Sequence, residues 1–254
     1  MRRAEFTSLL DELLKPATFS GDAAENGLQV EGAADVASVV CGVTANLALI
    51  EAAIAVGADT IVVHHGLVWG GGIRRLDGWL KQRVQRLIAH DVNLYGYHLP
   101  LDAQPQLGNN AGLCRALGVT STQPFGRYKG QFIALRGVFE QPLTLDGLVA
   151  RARATVVNDG ALVHAFGDRE KPLRTVGLCT GGAPDVLHEA VALGLDAYVT
   201  GEVTEYVKAV AEESGTCFVG VGHHASERFG PRGFAEFLVA RGIDARFIDV
   251  HNPV

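Results

Sequence analysis

Short runs of β-branched residues alternate along this chain with stretches in which apolar positions recur every three or four residues. An amphipathic helix opens it, with Phe6, Leu9, Leu10, Leu13 and Leu14 on the apolar side and Pro16 after it, and a Gly/Ala-rich loop over residues 20–32 follows. Residues 36–43 and 59–63 read as strands. A helix over 46–56 separates them, with Leu47, Ile50 and Ile54 on one face and Gly57 as the stop. A helix over 79–90 leads to a strand over 91–95, and 109–117 reads as a short helix ending at Gly118. Alternation at this spacing predicts βαβ units and an α/β fold.

From about residue 122 the pattern loosens into a strand over 131–139, a helix over 143–154, a strand over 161–166 and a turn at 167–172. Beyond it come a strand at 176–180, a helix over 203–213, a strand over 217–221, a helix over 234–239 and a last strand over 245–250. Two similar lobes are expected. The first is 1–123 with His64, His65 and Asp102; the second is 124–254 with Glu202, His223 and Glu227, its last strand packing back on the first lobe. No linker is rich enough in Pro, Gly or Ser for freely moving domains.

The two lobes echo one another. Val40-Cys41-Gly42-Val43-Thr44, a helix and Ile61-Val62-Val63-His64-His65 resemble Val176-Gly177-Leu178-Cys179-Thr180, a helix and Tyr198-Val199-Thr200-Gly201-Glu202. The second copy places Gly201-Glu202 where the first places His64-His65. If the halves face each other, Glu202 comes near the histidines.

Composition narrows the classes. Of 254 residues 48% are hydrophobic and 20% charged, which excludes a disordered chain. A formal charge of −6 provides no global attraction to nucleic acid or to an anionic membrane. Cys41, Cys114, Cys179 and Cys217 form no Cys-x-x-Cys pair, and most sit in apolar runs, as small buried hydrophobes do. No secretory or spanning segment precedes the first helix, so a soluble, cytoplasmic protein is expected.

Five of the nine histidines fall in three short places, each just after a strand: His64 and His65, His98, and His223 and His224. Ligands bind at such strand ends in open α/β sheets. Consecutive strand side chains point to opposite faces, so His64 and His65 either serve separate ions or lie where the strand ends and Gly66 turns the chain. A helical segment after His223 would put His223 and Glu227 on one face, a turn apart. His64, His65, Asp102, His223 and Glu227 are too many for one open zinc site and suit two bridged ions, which lower the pKa of bound water and attract anionic substrates. Nitrogen and oxygen ligands without thiolate suit zinc, manganese, iron or nickel. His98 and Glu202 remain for proton transfer or for orienting ligands; alternatively His98 holds the loop before Pro100, and Glu202 caps a helix starting at Val203. Gly181-Gly182 reads as a phosphate cradle or a tight turn.

With these residues in view the chain resembles the NIF-three-like family of dinuclear-metal-centre hexameric proteins, known in bacteria as type 2 GTP cyclohydrolase I homologues. The matching motifs are Asn26-Gly27-Leu28-Gln29-Val30, Gly42-Val43-Thr44, Val63-His64-His65-Gly66, Tyr95-Gly96-Tyr97-His98-Leu99-Pro100-Leu101-Asp102, Asn109-Asn110, Thr180-Gly181-Gly182, Thr200-Gly201-Glu202 and Gly222-His223-His224-Ala225-Ser226-Glu227. Gln104 stands where close relatives often carry histidine, and the stretch before Asn26 lacks a common Trp-Asp. The resemblance implies two three-layer α/β lobes with mixed sheets, in the short form without an inserted domain. It implies a dinuclear metal site in the cleft between them, ligated by His64, His65, Asp102, His223 and Glu227, and a toroidal homohexamer. The activity implied is hydrolysis of a nucleotide-like substrate, GTP ring opening first. The alternative is a non-enzymatic metal carrier or regulatory scaffold.

Overall fold

The computed structural model describes residues 1–157 and 162–254. In chain order the elements are α1 (Arg3–Leu14), β1 (Gly27–Val30), β2 (Ser38–Thr44), α2 (Leu47–Ala55), β3 (Thr60–His65), α3 (Gly78–Ala89), β4 (Asn93–Gly96) and α4 (Leu99–Ala103). There follow α5 (Asn109–Leu117), β5 (Val119–Tyr128), β6 (Gln131–Leu143), α6 (Leu145–Thr155), β7 (His164–Phe166), β8 (Leu173–Cys179), α7 (Leu187–Ala192) and β9 (Ala197–Thr200). The chain closes with α8 (Val207–Ser214), β10 (Cys217–Gly220), α9 (His223–Ser226), α10 (Phe229–Val239) and β11 (Asp244–Phe247). Among the described residues no helix is long and apolar enough to cross a membrane.

The chain divides into two α/β units, Met1–Gly108 with Gly230–Val250, and Asn109–Phe229 with His251–Val254. The boundary expected after residue 123 falls inside β5 of the second unit. Helix α5 goes with that unit because Leu113, Cys114 and Leu117 pack into its core.

The first unit holds a five-stranded sheet in the order β1-β4-β3-β2-β11, parallel except for the antiparallel edge strand β1. Period-two alternation sorts its strands onto two cores. Val39, Cys41, Val62 and Tyr95 face one side with Phe6 and Leu10 of α1 and Phe234 and Leu238 of α10. Val40, Ile61, Val63 and Leu94 face the other with Leu49 and Ile50 of α2 and Val84 and Leu87 of α3. Each fully buried Leu or Ile here contributes about 1.5–3 kcal/mol relative to an exposed one.

The second unit holds a six-stranded mixed sheet in the order β5-β6-β8-β9-β10-β7. Its central strands β8, β9 and β10 are parallel. One face packs Val176, Leu178, Val199 and Val219 against α5 and α6. On the other, Phe125 meets Tyr198 edge-on at 6.3 Å and Phe166 stacks on Phe218 at 6.2 Å, with α7 packed on β9 and α8 on β10.

Several elements differ from the expected ones for physical reasons. Strand β1 forms inside the expected loop because its partner β4 supplies the ladder, while its own pattern is only half buried. Strand β5 is an exposed hairpin arm whose polar middle carries no alternation. Helix α10 starts at Phe229, since Pro231 in its first turn is tolerated there and does not mark a break. Strand β7 covers His164–Phe166; the expected start at Ala161 lies outside the described residues. The last strand ends at Phe247 and pairs in parallel with β2.

Candidate metal sites

In the first unit β3 runs through both histidines, so the strand does not end before them. Their rings nevertheless lie side by side, 4.5 Å between centroids. His64 is fully buried; its Nδ1 donates to the Tyr97 carbonyl at 3.1 Å, and its Nε2 stands 3.5 Å from Asp102 Oδ1. Asp102 reaches that point because α4 begins immediately after His98, bringing a buried carboxylate one turn on. Nδ1 of His65 lies 3.3 Å from the Thr44 hydroxyl on the neighbouring strand. One ring nitrogen from each of His64, His65 and His98 lies within 4.8 Å of the others.

The polar run before β1 builds the surroundings of these histidines. Gln29 Oε1 accepts from the amides of Leu67 at 2.6 Å and Val68 at 3.2 Å, fixing the turn that leaves β3. A Cβ on Gly66 would overlap the Gln29 amide group, so a larger residue here would push Gln29 off the amides it holds. Asn26 Oδ1 accepts from the His98 amide at 2.8 Å, and Asp22 Oδ1 from His98 Nδ1 at 2.7 Å. Burial alone would raise the Asp22 carboxyl, but hydrogen bonds from His98, Asn26 and Ala24 and the charge of His98 outweigh it and bring it down to about 2. Sequence reasoning missed Asp22 and the roles of Asn26 and Gln29. The only signal was a cluster of polar residues in an otherwise small-residue loop.

In the second unit Gly222, at φ +92°, turns the chain from β10 into α9. The helical turn brings His223 Nε2 to 3.1 Å from Glu227 Oε2, as the His-x-x-x-Glu spacing requires. Glu202 Oε1 accepts from His223 Nδ1 at 2.6 Å. Burial alone would lower the His223 pKa, yet the carboxylates of Glu227 and Glu202 raise it to about 9. Glu202 does not cap a helix, since α8 begins only at Val207. Its amide and that of Gly201 are held by the Gly181 carbonyl at 3.1 and 3.0 Å. Gly181 and Gly182 pass close against the carboxylates of Glu227 and Glu202. Gly181 has φ +68°, and a Cβ on it would overlap Glu227 Oε1, while one on Gly182 would stand 3.0 Å from Glu202 Oε2.

A cavity of about 500 Å³ opens beside Glu202 and His223, walled by Leu162, Val203 and Pro253 and including His164. The cysteines stay outside this chemistry: all four are buried, and burial pushes the Cys114 thiol up to about 12.

The expected residues thus gather in two sets, His64, His65, Asp102 and His98 in the first unit, and His223, Glu227 and Glu202 in the second. The donor chemistry fits divalent cations. The sets hold imidazole nitrogens and carboxylate oxygens without thiolate, and His64 and His223 each donate Nδ1–H to an oxygen behind them while Nε2 faces a carboxylate.

Fold and side chains therefore define an α/β protein with histidine and carboxylate clusters able to hold metal ions. The chain belongs to the Duf34/NIF3 (NGG1p interacting factor 3) family, whose sequence profile matches residues 1–253. A relative from Vibrio cholerae serotype O1, named GTP cyclohydrolase 1 type 2 homolog, is 43% identical over 257 residues, covering 100% of both chains. An Escherichia coli relative of the same name is 39% identical over 254 residues, again covering 100% of both. Among solved structures, one described as protein ybgI of unknown function superposes with TM-score 0.92 at 39% identity, covering 100% of each chain. A second, from Thermus thermophilus, does so with TM-score 0.88 at 31% identity and the same coverage.

Proposed function

We propose that this protein is a metal-dependent hydrolase of nucleotide-like substrates, with His64, His65, Asp102, His223 and Glu227 ligating two divalent ions. The observation that carries the reading is the outer oxygen behind His64 and behind His223, Tyr97 O at 3.1 Å and Glu202 Oε1 at 2.6 Å, which orients each imidazole as metal-ligating histidines are oriented. Zinc, manganese, iron and nickel all suit such donors. When bound, ions of this kind supply Lewis acidity, polarising a substrate oxygen and acidifying water.

The chain's own residues divide the remaining work. Glu202 holds the proton on His223 Nδ1, so that Nε2 is presented as a ligand. His98, beside His64 and His65, moves protons to and from the substrate. The cavity of about 500 Å³ suits a small-molecule substrate, and its apolar walls suit a heterocycle. The names of the relatives favour GTP ring opening among the candidates, with other nucleotides and phosphoesters next. A toroidal homohexamer in the cytoplasm, with no part for membrane or nucleic acid, completes the reading.

The test is metal analysis of untagged protein, followed by formate release from GTP alongside a panel of nucleotides and phosphoesters. Roughly two ions per subunit with turnover on one substrate class is expected. Bound metal without turnover on any substrate would leave the second reading, a metal carrier or regulatory scaffold, which the family's description as an interacting factor favours. Absence of bound metal would overturn both.

A further inference from the structure

Asp22 lies in the loop before β1, 76 residues from His98 in sequence, yet its side chain is 2% exposed and both oxygens are engaged around that histidine. Oδ1 accepts from His98 Nδ1 at 2.7 Å and from the Ala24 amide at 3.1 Å. Oδ2 accepts from the Leu99 amide and from Asn26 Nδ2, each at 3.0 Å. Asn26 in turn accepts from the His98 amide at 2.8 Å, so ring and backbone are gripped by one small network. Trp69 closes it, its ring edge-on to His98 at 5.1 Å and its Nε1 donating to the Gly66 carbonyl at 3.0 Å.

An ionised carboxylate only accepts hydrogen bonds, so the hydrogen on a neutral His98 resides at Nδ1. Among the described residues Nε2 of His98 makes no hydrogen bond, and the ring lies 5.1 Å from that of His64 and 5.8 Å from that of His65. This is the arrangement by which a buried aspartate sets the tautomer of a catalytic histidine.

We propose that Asp22 is the positioning residue for His98, holding its imidazole as the Nδ1–H tautomer with Nε2 presented to the histidine cluster, so that Nε2 alone exchanges the catalytic proton. The inference rests on the reading of His98 as the proton carrier. The proton that Nε2 takes as water adds to the substrate is the one it returns to the leaving nitrogen or oxygen. His98 ends the cycle neutral, and Asp22 stays ionised throughout.

Two measurements on the full chain test this. Long-range ¹H–¹⁵N spectra of histidine-labelled protein, metal-free and zinc-loaded, read the tautomer directly, with His98 assigned by the signals lost in His98→Gln. Nδ1 protonated and Nε2 bare is expected in the wild type; an Nε2–H ring, or an even mixture, overturns the proposal without any Asp22 variant having to fold. In Asp22→Asn, His98 is expected to populate both tautomers, and kcat to fall about 10- to 1,000-fold with KM changed little. A ring spectrum and kcat unchanged in that variant would also overturn it. If no substrate turns over, the hydrolase reading fails on its own, while the spectra still decide what Asp22 does.

Discussion

Glu202 Oε1 accepts a hydrogen bond from His223 Nδ1 at 2.6 Å, and the opposite nitrogen of that ring lies 3.1 Å from Glu227 Oε2. One imidazole is thus held between two carboxylates, of which Glu227 is the buried one. The exposed partner can orient the ring, and the buried one can share a cation with it. Asp22 and His98 repeat the first half of this relationship in the other unit.

If Glu202 orients His223, Glu202→Gln weakens metal binding about 10- to 100-fold and leaves the unfolding transition of the metal-free protein near its wild-type position. Competition against a chromophoric chelator measures the first, and thermal unfolding the second. Wild-type affinity combined with lost turnover would instead make Glu202 a proton carrier.

Metal binding should release protons. In the metal-free protein His223 has its pKa raised from the usual value near 6.5 to about 9, so at neutral pH an ion must displace a proton from Nε2. Affinity therefore rises with pH until about 9 and then levels. The same shift stabilises the metal-free fold fully below about pH 6.5, and that contribution is lost as pH rises through about 9. Calorimetry in buffers of different ionisation enthalpy counts the protons, and a pH-independent affinity would refute the assignment.

Asp22 acts in the opposite direction. Its carboxyl is held down at about 2, so its contribution to stability is complete above the ordinary aspartate value near 3.8 and disappears as pH falls through about 2. The contribution is on the order of 1–2 kcal/mol after allowing for partial solvent screening. Urea unfolding near pH 6 and about pH 3 should show a shallower acid loss in Asp22→Ala than in the wild type.

Gly181→Ala is expected to damage stability and metal binding together. The residue stands at φ +68°, and a Cβ would overlap Glu227 Oε1, so either the turn or the carboxylate must move. A loss of about 1–3 kcal/mol is expected, with weaker metal uptake by the second-unit donors. Retained affinity at wild-type stability would show that Glu227 relocates freely.

The elements nearest the chemistry were legible because their signals are local. Strand β3 announces itself by a β-branched run, α2 by the spacing of its apolar residues, and the His223–Glu227 contact by a one-turn separation. The likeness of the two α/β halves was visible as a repeat, and each copy forms a parallel strand pair, β2 with β3 and β8 with β9.

What the amino-acid sequence determined by itself, then, was the order of strands and helices and the residue types delivered to strand ends, since burial on a strand or helix face leaves a period in the chain. The tertiary structure alone decided that Asp22 meets His98, that Gln29 holds the amides of Leu67 and Val68, and that β2 is the strand the returning β11 pairs with. It also decided that α5 packs with the residues that follow it. These are contacts between loops, edges and element ends far apart in sequence. A hydrogen bond from one loop to another depends on where two distant backbones come to rest, and it imposes no periodicity on either.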